Sequence, residues 1–162
     1  MANDTLNVEL LRVDGLSLAA RTGSGHWLSM DTSSAGGGHG GAASPVELVL
    51  AALAGCMAMD ILSMLAKMRA RIEDFRIEAR AERAPEPPRV FTKVDLTIRV
   101  RGDVKPRQIE KAIALSHERY CSVGAMLKPS VPIAHHYVLE PSTALADAES
   151  PNPPEGASRS DA

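Results

Sequence analysis

Apolar and polar residues alternate in three short runs near the start of the chain, TLNVELLRV (5–13), LSLAA (16–20) and HWLSM (26–30), each broken by turn residues. Alternation with a period of two places one face of an extended backbone against a core, so each run predicts a strand. Asp14-Gly15 between the first two predicts a tight hairpin. The segment that follows, TSSAGGGHGGAA, is too glycine-rich for a regular element and predicts a flexible loop, with His39 as a soluble spacer within it. The period then changes. Ser44 is a helix N-cap, Pro45 takes the first helical position and Glu47 completes an S-x-x-E capping box. From Pro45 to about Met68 the only breaker is Gly55, which gives a helix of about 36 Å at 1.5 Å per residue. Its first four turns are apolar nearly all round, the signature of a helix covered on most sides. Lys67, Arg69 and Arg71 then supply positive charge where a helix C-terminus favours it.

Alternation returns in FRIEARAER (75–83) and RVFTKVDLTIRVR (89–101), which predict two long antiparallel strands joined through the proline-rich APEPP. A second helix is expected over 105–120, with Ile109, Ala112, Ile113 and Ser116 on one face, and CSVGAML can open a short helix after it. IAHHYVL (133–139) suits a last strand, in which His135 and His136 point to opposite faces and so do not share one metal. They read as a surface pair. Beyond Glu140 the composition shifts to proline, serine, alanine and acids, which predicts one domain over 1–140 and a disordered tail over 141–162. The fold class is α+β. The strands of one chain cover only part of a helix that is apolar on nearly every side, so a second subunit is expected, its own central helix packed beside the first.

Composition narrows the function. The 162 residues suit a single domain, 44% of them are hydrophobic, and one Trp, two Phe and two Tyr are too few for a nucleic-acid stacking platform. A net charge of -2 leaves no basic footprint for nucleic acid or an anionic membrane. MANDTLNVEL does not read as a signal peptide, and the apolar run Leu48 to Met59, bracketed by Glu47 and Asp60, is expected to be too short to span a bilayer. A cytoplasmic protein with small-molecule or protein partners is the expectation. The two cysteines, Cys56 and Cys121, are too few for a disulfide scaffold and show no C-x-x-C spacing, so no metal or other cofactor is expected.

The capped segment SPVELVLAALAGCMAMDIL, the strand pair around ERAPEPPRVFTKVDLTIRV, and LSHERYCSVGAML followed by IAHHYVL resemble the OsmC/Ohr superfamily, and within it the YhfA-like branch, from about Arg21 to Glu140. The resemblance implies an intertwined homodimer with two long central helices wrapped by antiparallel β-sheets. It also implies a Cys-based thiol peroxidase that reduces organic hydroperoxides, with Cys56 peroxidatic, Cys121 resolving, and a dihydrolipoyl (lipoylated) protein as dithiol reductant. One departure stands out: the peroxidase branches carry a glutamate directly after the helix-opening proline, and here that residue is Val46, with Glu47 one place later. One residue rotates a side chain by about 100° round a helix, so Glu47 fits the capping box better than the site. Arg21, with Arg12 as an alternative, and His26 are the candidates for the family's positive group.

Read from the residues alone, Cys56 sits three turns inside its helix, beyond the reach of the N-terminal field, and Asp60 one turn on opposes a second negative charge there. An unaided buried thiol is inert, so a small core hydrophobe is the plain alternative. Cys121 is better placed if it opens a helix. Two rivals to the peroxidase stay open: a non-catalytic dimer that binds a small hydrophobic or thiol-reactive ligand between subunits, and a stress-induced dimer with purely structural cysteines.

Overall fold

The alternation of the first 30 residues becomes β1 (Val8–Asp14), β2 (Ser17–Thr22) and β3 (Trp27–Met30), an antiparallel sheet in that order. Asp14 pairs with Ser17 across the expected hairpin, where Gly15 adopts a left-handed φ of 51°. The computed structural model describes residues 5–143, which fall into two compact units divided between Gly55 and Cys56. In the first unit the glycine-rich loop is more ordered than expected. Asp31, 3% exposed, accepts the backbone N–H groups of Thr32, His39 and Gly41 at 2.7, 3.2 and 3.0 Å, and a short 3-10 turn spans Ser34–Gly36. A carboxylate that can satisfy several backbone donors organises a segment too poor in side chains to pack. Glycine is required here at Gly38, where a Cβ would run into the Thr32 carbonyl. His39 also lies 3.2 Å from Asp14, so it is tied down at both its backbone and its ring.

The capping box forms as expected. Both the backbone N–H and the hydroxyl of Ser44 donate to Glu47 Oε2, at 2.7 and 2.6 Å, and the Glu47 N–H returns to Ser44 Oγ at 3.3 Å. The helix it starts, α1 (Pro45–Lys67), is 23 residues long, about 34 Å. By length and composition α1 matches a membrane span, contrary to the expectation of a run too short for one. The reason is that the apolar sequence does not stop at Asp60 but resumes with Ile61, Leu62, Met64 and Leu65. Nor does one chain bury it all round. Leu53, Met57, Ile61 and Leu65, spaced by four, form a single buried stripe, whereas Val49 is 41% and Met59 73% exposed.

In the second unit β4 (Arg71–Arg83) and β5 (Phe91–Asp103) form the long antiparallel pair, with Phe75, Ile77 and Ala79 opposite Val100, Ile98 and Leu96. The centre of the sheet is β5, whose alternate residues Val94, Leu96, Ile98 and Val100 are all buried. The sheet is mixed, not antiparallel throughout: β6 (Ile133–Glu140) runs parallel to β5, Ile98 facing Tyr137. The cause is the helical connection, α2 (Pro106–Leu115) and α3 (Ser122–Leu127), which carries the chain back to the starting end of β5 before β6 begins. Ile109, Ala112 and Ile113 are buried on α2, as expected, and the Tyr137 hydroxyl donates to Glu110 at 2.6 Å to fasten β6 to it. Gln108 Nε2 donates to the Met68 carbonyl at 3.2 Å, joining the start of α2 to the end of α1. Of the tail expected from 141, only Pro141 to Thr143 are among the described residues, and there Ser142 and Thr143 donate to the Glu73 carboxylate. The rest of that expectation lies outside the described residues.

Truncating the central strand tests this arrangement. Ile98→Ala is expected to cost about 2–5 kcal/mol in denaturant unfolding, the range for an aliphatic core residue cut to alanine, whereas Glu78→Ala on the same sheet should change stability little.

Candidate functional site

The second helix does not continue evenly to Tyr120. It ends at Leu115 and passes into a wider π-type turn, Ser116–Tyr120, that redirects the backbone before Cys121. Ser116, fully buried, donates from its hydroxyl to Asp60 Oδ2 at 2.9 Å. That bond bridges α1 and the turn and brings the next segment beside α1. Cys121 then caps α3, its Sγ accepting the Gly124 N–H at 3.2 Å. As a result the Cys56 Sγ, the Cys121 Sγ and a carboxylate oxygen of Asp60 all lie within 4.8 Å of one another, and both cysteines are free thiols.

The two thiols differ in environment. Cys121 is 2% exposed, whereas Cys56 is half-buried on the helix. Burial pushes the Cys121 thiol up to about 11 from its ordinary 9.0. The adjoining Cys56 adds to the rise, as does the Asp60 carboxylate, and the Gly124 N–H opposes it. The helix that the sequence offered as support for a Cys121 thiolate is present, but its six residues do not outweigh desolvation. None of the groups acting on Cys121 is a cation. Asp60 also lines a cavity of about 320 Å³ whose wall includes Met64, Met68, Leu115 and Tyr120, with Lys67 and Lys111 among its polar groups.

The other expected site residues are held by local contacts in the first unit. The Arg21 guanidinium lies 5.9 Å from the centre of the Trp27 ring, its cross-strand partner. His26 Nδ1 is 3.0 Å from the Ser24 hydroxyl, and Arg12 Nε donates to the Gly15 carbonyl at 3.1 Å. Glu47 caps α1, and the hydrogen bonds from the Ser44 hydroxyl and N–H hold its carboxyl below the usual range. The histidine pair is less alike than its sequence implied. His136 is exposed and 3.9 Å from Asp95, but His135 is half-buried and packs edge-on against His117 with ring centres 4.6 Å apart. Burial first, and then His117 and His136, lower His135 to about 4, so it is neutral near pH 7. Ser116 was absent from the sequence-based site, and Asp60 entered it only as a charge one turn from Cys56. Their signals were positional: Asp60 is the only charge between Glu47 and Lys67 and stands at i+4 from Cys56, and Ser116 is a polar residue on the otherwise apolar face of the helix expected over 105–120.

Residues 38–136 match the family model described as OsmC-like protein, and the chain belongs to that family. Within it the chain falls in the YhfA-like branch: it is 40% identical over 126 residues to Protein YhfA of Escherichia coli (strain K12), covering 77% of this chain and 91% of YhfA. Among solved structures, a hypothetical protein from Aquifex aeolicus VF5 superposes with a TM-score of 0.77 at 25% identity, covering 86% of this chain and 99% of that one. An organic hydroperoxide resistance protein OsmC from Legionella pneumophila shares the fold at a TM-score of 0.65 and 22% identity, over 85% of this chain and 98% of its own.

The raised Cys121 pKa makes stability depend on pH with a defined sign. Folding retains the Cys121 proton above pH 9, where the unfolded chain releases it, so the contribution is whole below about pH 9 and is lost as pH rises towards 11. Denaturation midpoints measured across that window should fall more steeply for the natural sequence than for Cys121→Ala; equal slopes would contradict the assignment.

Proposed function

We propose that the protein is a thiol peroxidase of organic hydroperoxides, acting as a cytoplasmic homodimer, with Cys56 as the attacking thiol and Cys121 as the resolving one. The observation that carries this reading is the approach of the two sulfurs to within 4.8 Å. The difference in burial supports the order of events, since Cys56 is the more accessible residue and the deeper Cys121 keeps its proton until needed. The name of the Legionella relative, an organic hydroperoxide resistance protein, supports the substrate class.

The Cys56 thiolate attacks the distal oxygen of ROOH, the O–O bond breaks, and the alkoxide leaves as ROH with a proton, which leaves a sulfenic acid on Cys56. Cys121 gives up its proton as its sulfur attacks Cys56 Sγ, hydroxide departs as water, and a disulfide forms. Two electrons and two protons from an external dithiol, for which a lipoylated protein is the family precedent, restore both thiols. Arg21 and His26 are the residues whose charge would serve an ionised Cys56. A second copy is supported by apolar surface that one chain leaves open: Val8 at 64%, Leu10 at 55% and Val13 at 69% exposure on β1, and Met59 at 73% on α1.

The rival reading, a non-catalytic dimer that binds a small hydrophobic or thiol-reactive ligand, is favoured by the cavity beside Asp60 and by Val46 in the place of the family glutamate. Consumption of cumene hydroperoxide with a dithiol reductant separates the two. Cys56→Ser should reduce it to the uncatalysed background, whereas Cys121→Ser, given peroxide in the absence of the dithiol, should complete a single turnover and leave a dimedone-reactive sulfenic acid on Cys56. An undiminished rate in Cys56→Ser removes that thiol from the reaction. Sedimentation should give twice the 17.2 kDa chain mass; a species of one chain would contradict the dimer. Replacing Arg21 and His26 singly by Ala should slow the Cys56 step for whichever supplies the charge, and an unchanged rate in both would exclude the pair.

A further inference from the structure

A thiol pair built for redox chemistry alone has no need of a fixed carboxylate beside it, since a neighbouring negative charge opposes the thiolate. Asp60 is nevertheless held there by a hydrogen bond from a fully buried hydroxyl, Ser116 to Oδ2. The two cysteine sulfurs and a carboxylate oxygen of Asp60 lie within 4.8 Å of one another. In a tetrahedral zinc site, bonds of about 2.3 Å to sulfur and about 2.0–2.2 Å to oxygen set neighbouring ligand atoms about 3.5 Å apart. Contraction by roughly an ångström therefore encloses an ion without refolding.

We propose that the reduced protein binds one thiophilic divalent cation, of which Zn²⁺ is the type, through Cys56 Sγ, Cys121 Sγ and an Asp60 oxygen. The donor set selects the metal class: thiolates favour zinc-like ions over magnesium or calcium, which take oxygen ligands. Ser116 is the positioning residue. Hydrogen-bonding a ligating carboxylate from outside the coordination sphere is the usual way such a ligand is aimed. The metal would also supply the positive charge that none of the groups acting on Cys121 provides, and a divalent ion reverses the local electrostatics. Three protein ligands leave a fourth position open. The cavity lined by Asp60 offers an entry path, and Lys67 and Lys111 along it suit an anion or hydroxide in that position.

Metal and peroxide then compete for the same sulfurs. The ion displaces one proton from each thiol on binding, and oxidation of the pair to a disulfide removes two ligands and releases it. Metal binding does not depend on peroxidase activity, and the two are measured separately.

The test uses the full chain, reduced and stripped with chelator, titrated with Co²⁺ alone and then with Zn²⁺ in competition. The expected result is one Co²⁺ per chain with a sulfur-to-cobalt charge-transfer band and tetrahedral visible bands, displaced by Zn²⁺. Cys121→Ser and Cys56→Ser should weaken the charge-transfer band and the affinity. Ser116→Ala should keep the band but lose affinity by about 10–100-fold, the usual effect of removing an outer hydrogen bond. Where circular dichroism shows that a variant has not folded, the natural sequence oxidised with diamide takes its place and should lose the site. No charge-transfer band with the natural sequence, or binding that survives in both Cys121→Ser and the oxidised protein, overturns the proposal. Peroxide consumption by the metal-free protein is a separate measurement: its failure sinks the peroxidase reading and leaves the metal site standing.

Discussion

The hydrogen bond from the buried Ser116 hydroxyl to Asp60 ties the end of α2 to α1, as Gln108 and the Met68 carbonyl tie its start, and it accompanies the meeting of two distant thiols. Cys56 and Cys121 are 65 positions apart, and neither position is close to the other through local chain geometry. The π-type turn of Ser116–Tyr120 breaks the even rotation of α2, so that Ser116 faces α1 while the next residue after the turn, Cys121, starts a new helix over Cys56. A buried hydroxyl and a carboxylate without partners would each be costly, so the pair also disfavours alternative placements of this segment.

That same burial decides the chemistry. A sulfur at the first turn of a helix, accepting a backbone N–H, would ordinarily be eased towards the thiolate. Here loss of water outweighs that help, and Cys121 keeps its proton to about pH 11. A protonated thiol in reserve next to a more accessible one is suited to wait for an oxidised partner, not to start a reaction. With a carboxylate fixed beside both, the pair has donors for two kinds of electrophile: a peroxide oxygen and a soft metal ion.

Much of the frame was legible in the sequence because it is written in local signals. The S-x-x-E box placed the start of α1 at Pro45, and the alternation of FTKVDLTIRV gave β5 with its buried Val94, Leu96, Ile98 and Val100. The direction of β6 was not legible, because alternation is the same for either strand orientation and the long helical crossover decides it. Order in the glycine loop was missed for a related reason. Composition predicts a lack of packing, but a single Asp31 collecting backbone amides supplies order that composition does not count. In the site, the cysteines could be named by type and by family likeness and Asp60 by its place one turn from Cys56, but Ser116 belongs to it only through a tertiary contact with α1. The apolar character of α1 pointed beyond a single chain, and Val49 and Met59 remain uncovered in this one.

The central claim is that Cys56 and Cys121 act as one chemical unit. Treating the reduced chain with one equivalent of an organic hydroperoxide, blocking residual thiols and mapping the peptides under non-reducing conditions tests it most directly. The account predicts a single cross-linked species joining the Cys56 and Cys121 peptides of the same chain, with a mass lower by two hydrogens. Sulfinic acid building up on Cys56 while Cys121 stays a free thiol would contradict it.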